Sequence, residues 1–213
     1  MKKNLSHSSV PKIVILAFII ISSTPFYSSA QSPAIKPAME KLKTGIQFEN
    51  NGQYHKAIKN YQQALALFKK LRTGDAIAVS LKRIGDVYHA LGQYEKSIEN
   101  YLQALTLFRK LGIEDAIVIT LNNTGTVYHL LGQYEKSIEN YQQALTLFRK
   151  LGKEDQVAAS LQNIGMVYDS RGQYDKAMEK FQEALVIARK LGQEDEIALS
   201  LDKIGTVYNY WGQ

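Results

Sequence analysis

Apolar side chains recur along most of this chain at intervals of four and three residues, the spacing of one face of an α-helix. Two such stripes follow one another directly: Ile77, Leu81, Ile84, Tyr88, Leu91 and then Tyr94, Ile98, Tyr101, Leu105, Phe108. Neither stripe alternates with a period of two, as a half-buried strand would. The pattern therefore predicts a pair of helices packed through their apolar faces, and an all-α fold.

The helix pair is one copy of a repeat with a period of 40 residues. The triplet Gly-Gln-Tyr begins at Gly52, Gly92, Gly132 and Gly172, and Gly212-Gln213 begins a fifth copy. Residues 91–112 recur at 131–152 with a single change. One helix–turn–helix unit is thus used about four and a half times, which predicts an α-solenoid that is interrupted inside its fifth copy.

Glycines mark both the ends and the middle of the predicted helices. Gly92 and Gly112 suit the left-handed residue that ends a helix, and Asp115 is predicted to cap the next helix. A glycine also recurs mid-helix, where it costs about 1 kcal/mol relative to alanine. We expect a second helix to pack against each bare backbone through a large ring. The glycines are Gly45, Gly85, Gly125, Gly165 and Gly205, the rings are Tyr61, Tyr101, Tyr141 and Phe181, and Ala64, Ala104, Ala144 and Ala184 permit the same close approach.

These positions resemble the tetratricopeptide repeat (TPR) family over residues 38–213. In the second unit the matching residues are Leu81, Ile84, Gly85, Tyr88, Gly92, Tyr94, Ser97, Tyr101 and Ala104, and the fourth unit matches at Leu161, Ile164, Gly165, Tyr168, Gly172, Tyr174, Ala177, Phe181 and Ala184. The period is longer than the usual 34 residues, and Arg109, Arg149 and Arg189 stand where the family has proline. This variety resembles the repeats of kinesin light chains and of bacterial, often cyanobacterial, multi-repeat proteins. The resemblance implies a right-handed superhelix of antiparallel helix pairs that scaffolds protein interactions through a concave groove lined by the first helices.

The N-terminus has the features of a secretory signal peptide. Lys2, Lys3 and Lys12 precede a short apolar run at 13–21, and Ser28-Ser29-Ala30 offers small residues for cleavage after Ala30. The run is too short to span a bilayer, although an uncleaved N-terminal membrane anchor is the alternative. The sequence thus predicts a signal peptide at 1–30, a linker at 31–37, a repeat domain at 38–213, and export to the periplasm or the medium.

Charge and motif content argue against most other classes of function. Residues 31–213 carry 23 basic and 20 acidic side chains in alternation, which does not predict a nucleic-acid-binding face. There is no cysteine and no phosphate-binding, serine-hydrolase or zinc-protease motif. The pair His89 and His129 is too widely separated by helix stacking to share one metal. We therefore predict no enzyme activity, no cofactor, no metal and no small-molecule substrate.

The first helices keep nearly the same apolar core stripe in every repeat but differ in the residues beside that stripe. A surface that selects one partner must differ in sequence from repeat to repeat, so the differing residues are the candidates for binding. The predicted peptide-binding residues are Lys82, Arg83, Asp86, His89, Asn122, Asn123, Thr126, His129, Gln162, Asn163, Met166 and Asp169. In the family an asparagine ladder holds a peptide backbone, and Asn123 and Asn163 match it; the alternative is that they simply face water. Lys82, Arg83 and Lys203 would favour an acidic ligand. The family's basic and asparagine clamp is not matched, because Asp86, Thr126 and Met166 stand where it needs asparagine.

Two further interpretations remain open. The repeats are alternatively the sensor or substrate-recruiting arm of a larger bacterial protein whose catalytic domain, for example a caspase-like protease, lies beyond Gln213. The second alternative is that the chain is a purely structural module that oligomerises. The last predicted helix carries the apolar stripe Leu201, Ile204, Val207 and Tyr208 without a second helix to cover it. Self-association through this helix is therefore expected.

Overall fold

The computed structural model describes residues 33–211, and within that range it contains helices and no strand. The helices are α1 (Lys36–Asn50), α2 (Tyr54–Leu71), α3 (Gly74–Ala90), α4 (Tyr94–Leu111), α5 (Glu114–Leu130), α6 (Tyr134–Lys150), α7 (Glu154–Ser170), α8 (Tyr174–Leu191) and α9 (Glu194–Trp211). The predicted all-α solenoid of helix pairs is confirmed. We call α1, α3, α5, α7 and α9 the first helices, and α2, α4, α6 and α8 the second helices.

Each helix packs mainly on the helix before it and the helix after it in the chain. First helices of neighbouring repeats also approach each other, since α3 contacts α5 and α5 contacts α7. Residues on successive first helices can therefore interact across the repeats. This arrangement produces one continuous first-helix face, which is the surface that carries the differentiated residues.

A ring of the following helix covers each mid-helix glycine of the first four repeats, as the sequence predicts. A Cβ atom built on the glycine would lie 2.5 Å from Tyr61 at Gly45, 2.7 Å from Tyr101 at Gly85, 2.9 Å from Tyr141 at Gly125 and 2.6 Å from Phe181 at Gly165. All four rings are at most 2% exposed. No larger residue fits there unless a buried ring moves, so the mid-helix cost of glycine is offset by close helix packing.

Glycines in the left-handed backbone conformation end helices as predicted, except that an arginine takes the place of glycine after α2. Gly92 and Gly112 have φ of 70° and 68°, and each donates its backbone N–H to a carbonyl of the helix that it ends. Arg72 takes this place after α2 with φ 56°. Side chains strain this conformation, so the end of α2 is the least favourable of these turns.

The prediction that Asp115 caps a helix is wrong. Helix α5 begins at Glu114, and its N-cap is Ile113, which makes no side-chain capping bond. Asp115 lies in the first turn, where a negative charge is favourable, and its carboxylate accepts a hydrogen bond from Lys153 in the next repeat. The acid thus contributes to repeat stacking and not to a cap.

The predicted signal peptide at 1–30 lies outside the described residues. Helix α1 begins at Lys36, within the segment predicted as a linker at 31–37, because Pro37 suits the first turn of a helix. Across residues 33–211, the helices are all too short or too polar to cross a membrane.

Candidate functional site

Asp86 is the centre of a hydrogen-bonded network on the first-helix face. Its Oδ2 accepts from Lys82 Nζ at 2.8 Å, and its Oδ1 accepts from Tyr101 OH at 2.8 Å. Asn123 Nδ2, from the next repeat, donates to the same Oδ1 at 3.1 Å. The structure therefore brings together three predicted site residues from two repeats, and a core tyrosine joins them.

A second carboxylate, Glu49 of the first repeat, extends this network. Glu49 accepts a hydrogen bond from Tyr61 OH, and its Oε1 lies 3.7 Å from an Arg83 guanidinium nitrogen. Arg83 also lies 4.0 Å from Asp86 Oδ2. We call Glu49, Lys82, Arg83 and Asp86 the charged cluster. Its two cations are matched by two carboxylates, so Lys82 and Arg83 favour an acidic ligand less than the sequence alone indicates.

Sequence reasoning missed Glu49, although a signal for it exists. Glu49 follows Gly45 by four residues, as His89 follows Gly85 and His129 follows Gly125. Extending the repeat register to the first helix would have placed Glu49 among the differentiated positions.

The network shifts the ionisation of the core tyrosines. Burial raises the pKa of Tyr101 far above its usual value, and the adjacent Asp86 carboxylate raises it further. Burial and the Glu49 carboxylate do the same to the pKa of Tyr61. Burial also raises the pKa of Tyr141, whose hydroxyl contacts Thr126 instead of a carboxylate. These three hydroxyls stay protonated in the folded protein at neutral and mildly alkaline pH.

We predict that the protein loses stability steeply in alkali. The folded-state pKa of these three tyrosines is raised above the unfolded value of about 10. Their contribution is therefore complete below about pH 10 and falls above it, by about 1.4 kcal/mol per tyrosine per pH unit. Urea unfolding across this range measures the slope. Tyr101→Phe should flatten it, while Tyr208→Phe, at a 56% exposed position, should not; equal slopes in both variants would contradict the assignment.

The third repeat continues the face with neutral polar groups. Thr126 Oγ1 lies 2.9 Å from Tyr141 OH and donates to the Asn122 carbonyl at 3.1 Å. His129 Nε2 lies 2.9 Å from Ser170 Oγ of the fourth repeat. Burial lowers the pKa of His129, which favours the neutral ring. His89 does not reach a neighbouring repeat in this way, and its ring lies 6.1 Å from that of Tyr94.

The fourth repeat adds an apolar side chain and a carboxylate to the face. Asn163, Met166 and Asp169 are all half-buried, and Met166 packs beside the buried group that contains Phe181 and Val207. In the preceding repeat, Thr126 occupies the place of Asp86, so Asn163 has no counterpart of the carboxylate that holds Asn123. Its amide therefore has more hydrogen-bonding capacity to offer than that of Asn123.

Gln162 does not belong to the exposed face. It is 6% exposed, and its Nε2 donates to Glu196 Oε2 at 3.1 Å and to Ser200 Oγ at 3.0 Å. Those contacts join the fourth repeat to α9. The equivalent residue one repeat earlier is Asn122, which is shorter by one methylene, and both Asn122 Oδ1 and Ser160 Oγ are buried without a hydrogen-bond partner.

This mismatch predicts that Asn122→Gln stabilises the protein. The longer side chain can reach Ser160 as Gln162 reaches Ser200, and satisfying a buried polar group contributes about 1 kcal/mol. Gln162→Asn is the matched control and should destabilise by a similar amount. Chemical denaturation measures both free energies of unfolding. Loss of stability in Asn122→Gln would show that the junction has no room for the added methylene.

The acidic pairs at the starts of the first helices have structural roles. Glu114 Oε1 accepts from Lys150 Nζ at 2.6 Å, and Glu154 Oε1 accepts from Lys190 Nζ at 2.8 Å. Each of these two ion pairs joins the first and second helices of one repeat. No cluster of potential metal ligands occurs among the described residues.

Comparison with known proteins identifies the repeat. A family model described as Tetratricopeptide repeat matches residues 45–110 and 116–190. No curated protein sequence matches the chain. The structure of BtubC (BKLC) from P. vanneervenii is similar with a TM-score of 0.72 at 22% identity, over 86% of this chain and 82% of that protein.

Two other solved structures are similar at the level of the fold. A Podosopora anserina protein assigned as a kinesin light chain, with nearly identical TPR-like repeats, has a TM-score of 0.71 at 20% identity, over 83% of this chain and 89% of that one. A Rap protein complexed with Competence and Sporulation Factor has a TM-score of 0.63 at 18% identity, over 86% of this chain and 52% of that one. The predicted resemblance to kinesin-light-chain-like repeats is confirmed.

Proposed function

Because the chain belongs to the tetratricopeptide-repeat family, we propose that it is an exported, non-catalytic scaffold that binds an extended segment of another protein along its first-helix face. The family fold is consistent with a role in protein interaction. The Rap protein of similar fold, solved as a complex with Competence and Sporulation Factor, supports a ligand-binding role for solenoids of this kind. Export follows from the sequence features at residues 1–30.

The observation that carries this proposal is the change in character along the first-helix face. The cations and carboxylates of the charged cluster pair with one another, and Asp86 also accepts a hydrogen bond from the Asn123 amide. The first two repeats therefore offer few unpaired polar groups to a ligand. Asn163, Met166 and Asp169 of the fourth repeat are half-buried and combine an amide, an apolar side chain and a carboxylate. An amide donates and accepts at once, which suits it to grip a peptide backbone. The ligand is therefore centred on the third and fourth repeats, with Met166 beside an apolar ligand side chain.

Affinity measurements on groove variants test this function. The partner is first captured with the purified chain, and its binding is then compared for the wild type, Asn163→Ala and Asn123→Ala,Asn163→Ala. Losing hydrogen bonds to a bound backbone should cost about 1–3 kcal/mol in the double variant, with most of the loss already present in Asn163→Ala. Gln103→Ala, at an exposed position on α4, is the control. Unchanged affinity in a folded double variant would contradict the groove assignment.

A further inference from the structure

Two neighbouring turns of the solenoid, between α2 and α3 and between α4 and α5, concentrate exposed cations. We call them the basic patch: Lys69, Lys70, Arg72, Arg109 and Lys110. The two turns meet, because a Cβ atom built on Gly74 at the start of α3 would lie 3.7 Å from Leu111 at the end of α4. Asp75 is the acidic residue in the first turn of α3, so the patch sets five cations against one carboxylate.

Ion pairs neutralise the equivalent turns further along the solenoid. Lys150 pairs with Glu114 at 2.6 Å, and the same pair recurs one repeat later. Gly74 stands at the place of this glutamate in the second repeat, so Lys110 lacks the carboxylate that its equivalents have. Among residues 33–211, none of the five cations of the basic patch forms an ion pair.

Other groups near the basic patch leave its charge uncompensated. Arg109 donates a hydrogen bond to the neutral side chain of Gln143 at 2.9 Å. Glu114 and Asp115 follow Lys110 in the chain, but lysines at the end of α6 and just after it bind both carboxylates. The sequence before α1 adds no counter-charge, since residues 1–32 include no aspartate or glutamate. The positive charge is therefore available to another molecule.

Exposed leucines among these cations indicate what kind of molecule fits. Leu71 and Leu111 are 37% and 44% exposed, and each directly follows a lysine of the basic patch. Lysines and arginines beside exposed leucines suit the boundary between anionic headgroups and acyl chains. An acidic peptide matches only the cations. Residues 69–75 and 109–115 contain no aromatic side chain on which a nucleobase could stack.

We propose that the basic patch docks the solenoid on an anionic phospholipid surface, with its cations at the headgroup phosphates and the two leucines at the acyl boundary. The alternative of an uncleaved anchor at 1–30 would hold this same end of the solenoid at the bilayer. The docking is independent of the proposed groove function. Gly74 and Asp86 are twelve residues apart on α3, or about 18 Å, so the basic patch and the groove occupy opposite ends of the first helices.

Binding of the full chain to vesicles made of equal parts phosphatidylglycerol and phosphatidylcholine tests this docking by cosedimentation. Two triple variants remove the same charge from equivalent turns: Lys69→Gln,Lys70→Gln,Arg72→Gln in the basic patch and Arg149→Gln,Lys150→Gln,Lys153→Gln at the end of α6. The first should bind at least tenfold more weakly than the wild type, and the second should bind as the wild type does. Added salt should weaken wild-type binding, because it screens exposed charges. Circular dichroism checks that both variants fold.

A fluorescent label shows which part of the solenoid meets the lipid. The chain has no cysteine, so Leu71→Cys and Leu191→Cys, at positions that are 37% and 38% exposed, each accept one environment-sensitive dye. We expect a blue shift at position 71 on the anionic vesicles, and none at position 191 or on pure phosphatidylcholine. Equal weakening in the two triple variants, equal shifts at the two positions, or an equal shift on phosphatidylcholine would overturn the proposal. Binding of polyglutamate without any shift on vesicles would also overturn it and assign the basic patch to an acidic protein segment.

Discussion

Replacing Tyr101 by alanine should destabilise the protein by about 3–5 kcal/mol, the cost of removing a large side chain from a packed core. Tyr101 is 0% exposed, its ring covers the backbone at Gly85, and its hydroxyl donates to Asp86. Tyr101→Phe keeps the ring and should cost only about 1 kcal/mol. Urea unfolding of the two variants separates the contribution of packing from that of the hydrogen bond.

The neighbouring residue provides a control for this substitution. Leu102 is 45% exposed, and Leu102→Ala should change the free energy of unfolding by no more than about 0.5 kcal/mol. If Tyr101→Ala and Leu102→Ala had similar small effects, the ring would not be part of the core that joins α3 and α4.

Gly125→Leu and Gly205→Leu should have opposite effects on stability. At Gly125 the added side chain meets the buried ring of Tyr141 at 2.9 Å, and overpacking of this kind should cost on the order of 3 kcal/mol. At Gly205 the added side chain meets open space, so the better helix propensity of leucine should stabilise by about 0.8 kcal/mol.

Both glycine substitutions are measured by the same urea unfolding experiment. Because the two glycines occupy one position of the repeat, propensity is the same for both and packing alone differs. Destabilisation of similar size in both variants would mean that Gly205 is also covered, by a group outside residues 33–211.

The features predictable from the sequence are those that every repeat shares. The four-and-three spacing and the Gly-Gln turn recur at each 40-residue step, and the pairing of a mid-helix glycine with a ring recurs in the first four repeats, so local periodicity determines them. The fate of Asp115 could not be predicted in this way, because capping and ion pairing both suit an acid near a helix start. Only the position of Lys153 in the next repeat decides between them.

The contacts of the individual site residues were less predictable, because they too depend on residues of neighbouring repeats. Lys82 pairs with Asp86 one turn along the same helix, but only the stacking of repeats brings Glu49 beside Arg83. Gln162 and Asn163 are adjacent in the chain, yet the first turns towards α9 and the second remains half-buried on the face. Such differences depend on the rotation between repeats, which periodicity alone does not give.

Site-specific photo-crosslinking tests most directly whether the first-helix face holds the ligand. A benzophenone amino acid is placed at Asp169 on α7 or at Val186 on α8, a second-helix position that is 66% exposed. We expect the captured partner to be crosslinked from position 169 and not from position 186. Crosslinking from position 186 with none from position 169 would contradict it and place the ligand on the second helices.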